Sequence, residues 1–393
     1  MWKNWRFAVA VAVTLPVVAC SSTPRAAAPQ PGAFTPTPIV VPSPSVSPSA
    51  ADCVTRTVQG MSRAERAGQL LMVGTPVDKP RPLARTVSDL HLGGVFLAGR
   101  STRPATDLRA DIAVLTKAGA VPPLVALDQE GGSVQTLKGK DFPLLPSAQR
   151  LGAGSSGKLR DTVRDSARGL HDIGITLNLA PVADTVPADI GLANPPIGAF
   201  RRQYGSDPAQ VSTALTTVVP AYQDAGVLTV LKHFPGLGRV RANTDVARDV
   251  TDARTSATDP YLEPFAAGIK AGSAAVMISS ARYPRLDRDT IAAYSRPVIT
   301  GLLRDKLGFT GMVVSDDLGA ADAASIVPVG ERAVKFVAAG GDLALTIRPQ
   351  DAGPMAEALI DQAGKSADFD ARVTDAARHV LAAKSRAGLL TCR

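Results

Sequence analysis

Residues 227–236 read VLTVLKHFPG, an apolar run that ends abruptly in a lysine, a histidine and a Phe-Pro-Gly turn. The run does not alternate between apolar and polar positions, which is typical of a strand buried on both faces of a parallel sheet. Lys232 and His233 are therefore predicted to lie at the carboxyl end of such a strand.

Seven other short apolar runs have the same character. They lie at residues 70–74, 93–98, 124–128, 176–180, 275–279, 311–316 and 342–345. Helical patterns separate them, as where Asp207 supplies an N-cap before Pro208, or where Pro297 opens a helix that Gly308 ends. Eight strands, each followed by a helix, predict a single-domain α/β fold, the (β/α)8 TIM barrel. A doubly wound open sheet is the alternative, but no glycine-rich phosphate loop follows a strand.

A barrel of this kind gathers its reactive groups at the carboxyl ends of its strands. The polar residues at the predicted strand ends are Asp128, Asp184, Lys232, His233, Ser280 and Asp316. Packing alone does not select carboxylates at the ends of apolar strands. A helix cap is the ordinary explanation for one of them, but several on different strands favour a functional site.

Four motifs, in order along the chain, resemble those of glycoside hydrolase family 3. The motifs are DQEGG at 128–132, NLAPVAD at 178–184, KHFPG at 232–236 and SDDL at 315–318. The resemblance extends from about residue 61 to residue 390. It implies one TIM barrel similar to the single-domain β-N-acetylglucosaminidases, without a second sandwich domain.

The resemblance also implies roles for individual residues. Asp316 matches the nucleophile of a retaining glycosidase, which needs a carboxylate to attack the anomeric carbon. The residues that match the family's grip on the terminal sugar are Asp128, Arg202, Lys232 and His233. The two residues before Arg202, Phe200 and Arg201, depart from the family's segment. No metal or organic cofactor is implied, and Asp316 as a helix N-cap stays open as the alternative, since Ser-Asp often precedes a helix.

The chain departs from the family in the loop that follows KHFPG. There the family carries Asp-Ser-His, and that His is the general acid/base, whereas residues 243–247 read NTDVA. Asp245 is kept and Ala247 replaces the His. Other family residues are replaced by Ser133, Leu237 and Ser280. Alanine cannot transfer a proton, and loss of a general acid/base costs ~10²–10⁴ in rate. Two interpretations therefore remain. Either Asp245 supplies the proton, or the protein is a catalytically impaired sugar-binding protein. A third, a scaffold with no sugar-related role, is disfavoured by the retained sugar-binding set.

The amino-terminal segment predicts export. Basic residues precede an apolar run at 7–18, and VVAC at 17–20 resembles a bacterial lipobox. We therefore predict a signal peptide at 1–19 and lipidation at Cys20, with ordinary signal-peptidase cleavage as the alternative. Residues 20–52, rich in Pro, Ser and Thr, predict an extended lipidated tether, and residues 53–393 form the predicted barrel.

The remaining cysteines and the charge pattern complete the expectations. Cys53 and Cys392 form an even pair in an exported chain, which suggests a disulfide worth ~4 kcal/mol in the chain-entropy model.

The net charge is +8, but the basic residues are scattered and only 4% of residues are aromatic, which disfavours nucleic-acid binding. We expect a monomer on the outer face of the cell membrane, held there by its lipid and facing the cell wall. Its expected partner is carbohydrate, either peptidoglycan fragments or N-acetylhexosaminides.

Overall fold

The computed structural model describes residues 50–390, and within them strands alternate with helices. The strands are β1 (Leu71–Pro76), β2 (Gly94–Ala98), β3 (Leu124–Leu127), β4 (Gln129–Gly131), β5 (Val134–Gln135), β6 (Leu177–Asn178), β7 (Leu228–Phe234), β8 (Ala275–Ile278), β9 (Arg282–Tyr283), β10 (Asp287–Ile291), β11 (Met312–Ser315) and β12 (Ala344–Thr346). The α-helices are α1 (Ala50–Gly60), α2 (Arg63–Gln69), α3 (Leu83–Leu90), α4 (Ala105–Ala118), α5 (Ala148–Gly152), α6 (Ser156–Asp172), α7 (Pro208–Gln223), α8 (Glu263–Lys270), α9 (Val329–Ala338), α10 (Ala352–Lys365) and α11 (Ala367–Arg386). A π-helix spans Pro297–Lys306.

Eight of these strands form one parallel sheet in the order β11-β8-β7-β6-β3-β2-β1-β12. They are the eight runs that the sequence predicts as strands. A parallel bridge between Val314 and Leu343 brings β11 next to β12, so the sheet closes on itself. The predicted TIM barrel is confirmed, and the open sheet is excluded. The strand pairs β4–β5 and β9–β10 are small antiparallel hairpins that follow β3 and β8 in the chain.

The alternation of side chains along the strands creates two buried layers. Every second residue points into the barrel, as do Leu228 and Val230 on β7, and the opposite set packs against the surrounding helices. Val380 and Ala383 of α11 belong to the interior layer. Helix α11 therefore packs against the barrel interior.

The helix signals in the sequence act as expected. The Asp207 carboxylate accepts a hydrogen bond from the Gln210 amide at 3.0 Å, which caps α7 behind Pro208. Gly308 has φ +68°, a left-handed conformation that glycine adopts at low cost, and it follows the π-helix. The capping residue and the glycine thus set where α7 begins and where the chain leaves the π-helix to return to the sheet.

Four predictions, the signal peptide, the lipidation, the tether and the disulfide, fall partly or wholly outside the described residues. Cys20 and Cys392 lie outside them, as do the predicted signal peptide and most of the tether. Cys53 is disulfide-bonded and buried in α1, a helix that also includes the last three residues of the predicted tether. Within residues 50–390, no helix is both long enough and apolar enough to cross a membrane.

Candidate active site

A cavity of about 360 Å³ opens at the carboxyl ends of the barrel strands. Its floor is the top of the barrel's interior layer, formed by Phe96, Leu179, Met277 and Leu345. The polar side chains that line it are Arg100, Asp128, Ser133, Arg202, Lys232, His233, Asn243, Thr244, Asp245, Asp316 and Asp317. All six residues predicted to bind substrate or catalyse therefore meet in one cavity.

Two cations on the cavity wall are held in place by Glu130, the third residue of the DQEGG motif. The Glu130 Oε1 atom lies 2.6 Å from Lys232 Nζ and 2.8 Å from Arg202 Nη2, and Arg202 Nε donates to Oε2 at 2.8 Å. Lys232 Nζ also donates to Asp128 Oδ1 at 2.6 Å. Burial acts to raise the pKa of Glu130, but Arg202 and Lys232 outweigh it and lower that pKa to about 2. The cations are thus fixed and charged.

His233 is oriented by a buried carboxylate, Asp184. The Asp184 Oδ2 atom lies 2.7 Å from His233 Nδ1, and Asp184 Oδ1 accepts a hydrogen bond from the Leu237 amide at 2.7 Å. Because a carboxylate only accepts hydrogen bonds, the His233 Nδ1 atom carries a proton. The Nε2 atom lies 3.4 Å from Arg202 Nη2. Asp184 therefore joins the end of β7 to the loop after β6 and sets the direction of the imidazole ring.

Asp316 follows the last residue of β11, and its amide donates to the Ile278 carbonyl at 2.9 Å. Its Oδ1 atom accepts one hydrogen bond, from the Asp317 amide at 2.9 Å. Burial raises the pKa of the Asp316 carboxyl; His233 lowers that pKa, and Asp245 raises it. No α-helix begins at Asp316, so the helix-cap alternative does not describe this side chain.

Asp317 caps the turn instead. Its Oδ1 atom accepts from the amides of Gly319 and Ile347 at 2.9 and 3.0 Å, and Oδ2 accepts from Ala320 at 2.9 Å. Ile347 lies directly after β12. The carboxylate of Asp317 thus ties the segment after β11 to the end of β12, beside Asp316.

The loop after β7 brings Asp245 to the cavity and leaves Ala247 outside its lining. The carbonyls of Thr244 and Asp245 accept hydrogen bonds from Ala323 and Asp322, in the segment after β11. In the described part of the chain, no hydrogen bond or salt bridge engages the Asp245 carboxylate. Ala247 packs against the hydrophobic core. All four histidines of the sequence are described, and His233 is the one that lines the cavity.

The base of that loop is held by Arg239. Its guanidinium donates to Asp259 Oδ2 at 2.7 Å and to Asp252 Oδ2 at 3.3 Å, and it lies 4.1 Å from the ring centroid of Tyr261. Gly238 precedes it, where a Cβ atom would stand 1.8 Å from the Thr185 carbonyl oxygen, so only glycine fits. The loop is therefore anchored at its base and again at Thr244 and Asp245.

Two of the site residues were missed by the sequence analysis. Arg100 follows β2, and the rule used for the other strand ends would have found it. Glu130 stands two residues from Asp128, but its role depends on Arg202 and Lys232, which are distant in sequence. Ser280 is buried, and within the described residues its hydroxyl has no hydrogen-bond partner. It does not line the cavity. Within residues 50–390, no group of His, Cys, Asp or Glu is arranged to hold a metal ion.

Fold and site together define a (β/α)8 protein with a carboxylate-lined pocket at the catalytic end of the barrel, as glycoside hydrolases of this architecture have. Residues 63–383 match the model of the glycosyl hydrolase family 3 N-terminal domain, and the chain belongs to this family of glycoside hydrolases.

Similar proteins agree with this assignment. The chain is 30% identical over 379 residues to beta-hexosaminidase LpqI of Mycobacterium tuberculosis, covering 94% of each protein. It resembles the crystal structure of a beta-N-acetylhexosaminidase from Beutenbergia cavernae, with a TM-score of 0.81 and 42% identity over 83% of this chain and 99% of the other. A family 3 beta-N-acetylglucosaminidase from Paenibacillus has a TM-score of 0.75 and 29% identity, covering 84% of this chain and 63% of the other.

Proposed function

We propose that this protein hydrolyses terminal β-linked N-acetylhexosamine from cell-wall or related glycans with retention of configuration, and that Asp316 is the nucleophile. The observation that carries the proposal is the Asp316 carboxylate, which is partly buried, lines the cavity and is not used as a helix cap. The names of the similar proteins support the choice of sugar. A retaining reaction needs this carboxylate ionised, and His233 favours that form.

Asp128, Lys232, Arg202 and His233 are the proposed sugar-binding residues. A sugar that leaves water loses hydrogen bonds from its hydroxyls, and this cost is met only by well-placed donors and acceptors. Asp128 and Lys232 offer an acceptor and donors 2.6 Å apart, so they can bind neighbouring hydroxyls. Their partners in the protein hold them in position before the sugar arrives.

Asp245 is the proposed proton donor, in place of the family's His. It lines the same cavity as Asp316, and its carboxylate has no partner in the described residues that would have to be displaced. A general acid must protonate the glycosidic oxygen as the bond breaks. The second candidate function, a sugar-binding protein with impaired catalysis, is favoured by Ala247 at the position of that His.

The nucleophile is tested with Asp316→Asn and an aryl β-N-acetylglucosaminide. We expect turnover to fall by at least ~10³-fold while N-acetylglucosamine still binds, because the sugar-binding residues are unchanged. NMR of the first product of the wild-type protein should show the β anomer. The control is Asp249→Asn, whose side chain is 91% exposed in the same loop as Asp245.

The outcomes separate the candidate functions. Release of the α anomer, or a turnover unchanged by Asp316→Asn, would overturn the assignment of the nucleophile. Sugar binding without turnover by the wild-type protein would support the impaired binding protein.

Export and anchoring are proposed on the sequence alone. We expect Cys20→Ser to abolish incorporation of a labelled fatty acid and to move the protein out of the membrane fraction. Unchanged fractionation would refute the anchor. The Cys53–Cys392 pairing is tested by peptide mapping without reduction.

A further inference from the structure

Phe200 is a half-exposed aromatic residue on the wall of the active-site cavity. It is 47% exposed, although it lines a cavity whose floor is buried. Ile347, 39% exposed, lines the same cavity. Single exposed apolar residues are ordinary on protein surfaces, but Phe200 and Ile347 both line a ligand-sized cavity, where a bound molecule can cover them.

The backbone that carries Phe200 is rigidly held. Asn194 is fully buried, and its Oδ1 atom accepts from the amides of Ile197 and Gly198 at 3.0 and 2.9 Å. Its Nδ2 group donates to the carbonyls of Leu237 and Val240 at 2.8 and 2.9 Å. These bonds join the 3₁₀ turn Gly198–Phe200 to the loop after β7, so Phe200 is presented at a fixed place.

The residues that line the cavity divide by exposure. Lys232, His233 and the floor are buried, whereas Arg100, Phe200, Asp245 and Ile347 are exposed. A cavity of about 360 Å³ lies at the small end of the range for ligand sites and suits one sugar residue. On the proposed function, the cleaved sugar occupies the buried end, and the leaving group must pass the exposed residues.

Exposed apolar side chains are concentrated at this end of the barrel. Seven large ones are exposed in the described chain, and six of them lie in segments that follow barrel strands: Leu144, Leu192, Phe200, Val246, Ile326 and Ile347. Only Val114 lies on a helix outside this face. Of these six, Phe200 and Ile347 line the cavity.

We propose that Phe200, with Ile347, forms a subsite for the leaving group, and that it binds one with a flat apolar face: an aryl ring or the C–H face of a second sugar ring. This inference rests on the proposed function. In this subsite Phe200 is a specificity-determining residue, because its ring contacts only the leaving group of the substrate. Substrates with a small leaving group gain no binding energy from the Phe200 ring.

Non-hydrolysable thioglycosides test this subsite without the complication of leaving-group reactivity. Phenyl and methyl 1-thio-β-N-acetylglucosaminides share the sugar and differ in the leaving group. Calorimetry of Phe200→Ala should show about 3- to 10-fold weaker binding of the phenyl compound, the range expected for an aromatic contact, and unchanged binding of the methyl compound. Phe200→Trp should keep the preference for phenyl.

Leu192→Ala is the matched control, since Leu192 is 62% exposed in the same connection and does not line the cavity. Equal weakening of both thioglycosides by Phe200→Ala, or no weakening of either, would overturn the subsite. If the wild-type protein binds neither compound nor N-acetylglucosamine, the proposed function itself fails, and that result is distinct from failure of the subsite.

Discussion

Asp316 and Asp317 are neighbours in the chain and both line the cavity, yet their surroundings assign them different tasks. Among the described residues, Asp316 accepts one amide hydrogen bond, so most of its carboxylate lone pairs have no protein partner. Asp317 accepts three amide hydrogen bonds and is engaged in holding the backbone. A carboxylate that attacks a sugar must be accessible, and Asp316 fits that requirement better than Asp317.

The proposed proton donor makes a prediction about pH. Because Asp245 raises the pKa of Asp316, Asp245→Asn should lower that pKa and keep the nucleophile ionised in more acidic solution. The acid limb of kcat/KM for an activated aryl glycoside should therefore move to lower pH. With an N-acetylglucosamine disaccharide, which needs protonation, the same variant should lose ~10²–10⁴ in rate.

Asp249→Asn serves again as the control for this loop and should leave both the pH profile and the rates unchanged. The general-acid role of Asp245 would be refuted by equal rate losses with the aryl glycoside and the disaccharide. An acid limb that does not move would refute the charge coupling between Asp245 and Asp316.

At the scale of elements, the site is assembled by links between strand ends. Asp184 connects the end of β7 with the loop after β6, and Glu130 connects β4 with β7 through Lys232. Asp317 connects the segment after β11 with the end of β12. The first two links use buried carboxylates and the third uses a partly buried one, so these strand ends have defined positions relative to one another.

Asp317→Asn tests the last of these links. An amide side chain leaves at least one of three amide donors without an acceptor, which should destabilise the fold by ~1–3 kcal/mol. Because Asp316 is then less well positioned, we expect kcat to fall ~10- to 100-fold with little change in KM. Urea unfolding and steady-state kinetics measure the two effects. Asp322→Asn, an exposed neighbour, is the control, and a changed KM with normal kcat would contradict a positioning role.

At the scale of the whole molecule, helix α11 packs against the barrel interior and carries a buried lysine. Lys384 is fully buried, and its Nζ atom donates to Gln69 Oε1 at 2.5 Å. Burial lowers the pKa of Lys384 to about 7. The unfolded chain therefore binds a proton at Lys384 that the folded protein releases between about pH 7 and the ordinary lysine pKa near 10.4.

The stability of the folded protein should consequently rise with pH in this window. The free-energy cost of burying Lys384 is fully present below pH 7 and falls toward pH 10, where the lysine of the unfolded chain also loses its proton. The upper bound of this cost is roughly 5 kcal/mol. Lys384→Met should narrow the difference in unfolding midpoint between pH 7 and pH 10, as urea titrations at both pH values would show. Lys365→Met, at an exposed position, should not. A wild-type stability independent of pH across this range would refute the lowered pKa.

The eight strands and most of the polar residues at their ends could be predicted from the sequence, because hydrophobic period and capping residues act over a few neighbours. The site residues that resemble family 3 motifs were predicted for the same reason: each motif is short and local. The sequence also revealed that Ala247 stands in place of the family's His.

Only the tertiary structure decided how these pieces act together. Glu130 gained its role from Arg202 and Lys232, which lie 72 and 102 positions further along the chain, and Asp245 was brought into the cavity of Asp316 by backbone bonds to the segment after β11. Burial, charge coupling and the exposure of Phe200 arise from contacts between distant segments. Local sequence patterns determine which elements form, whereas the electrostatics of the pocket depend on which of those elements meet.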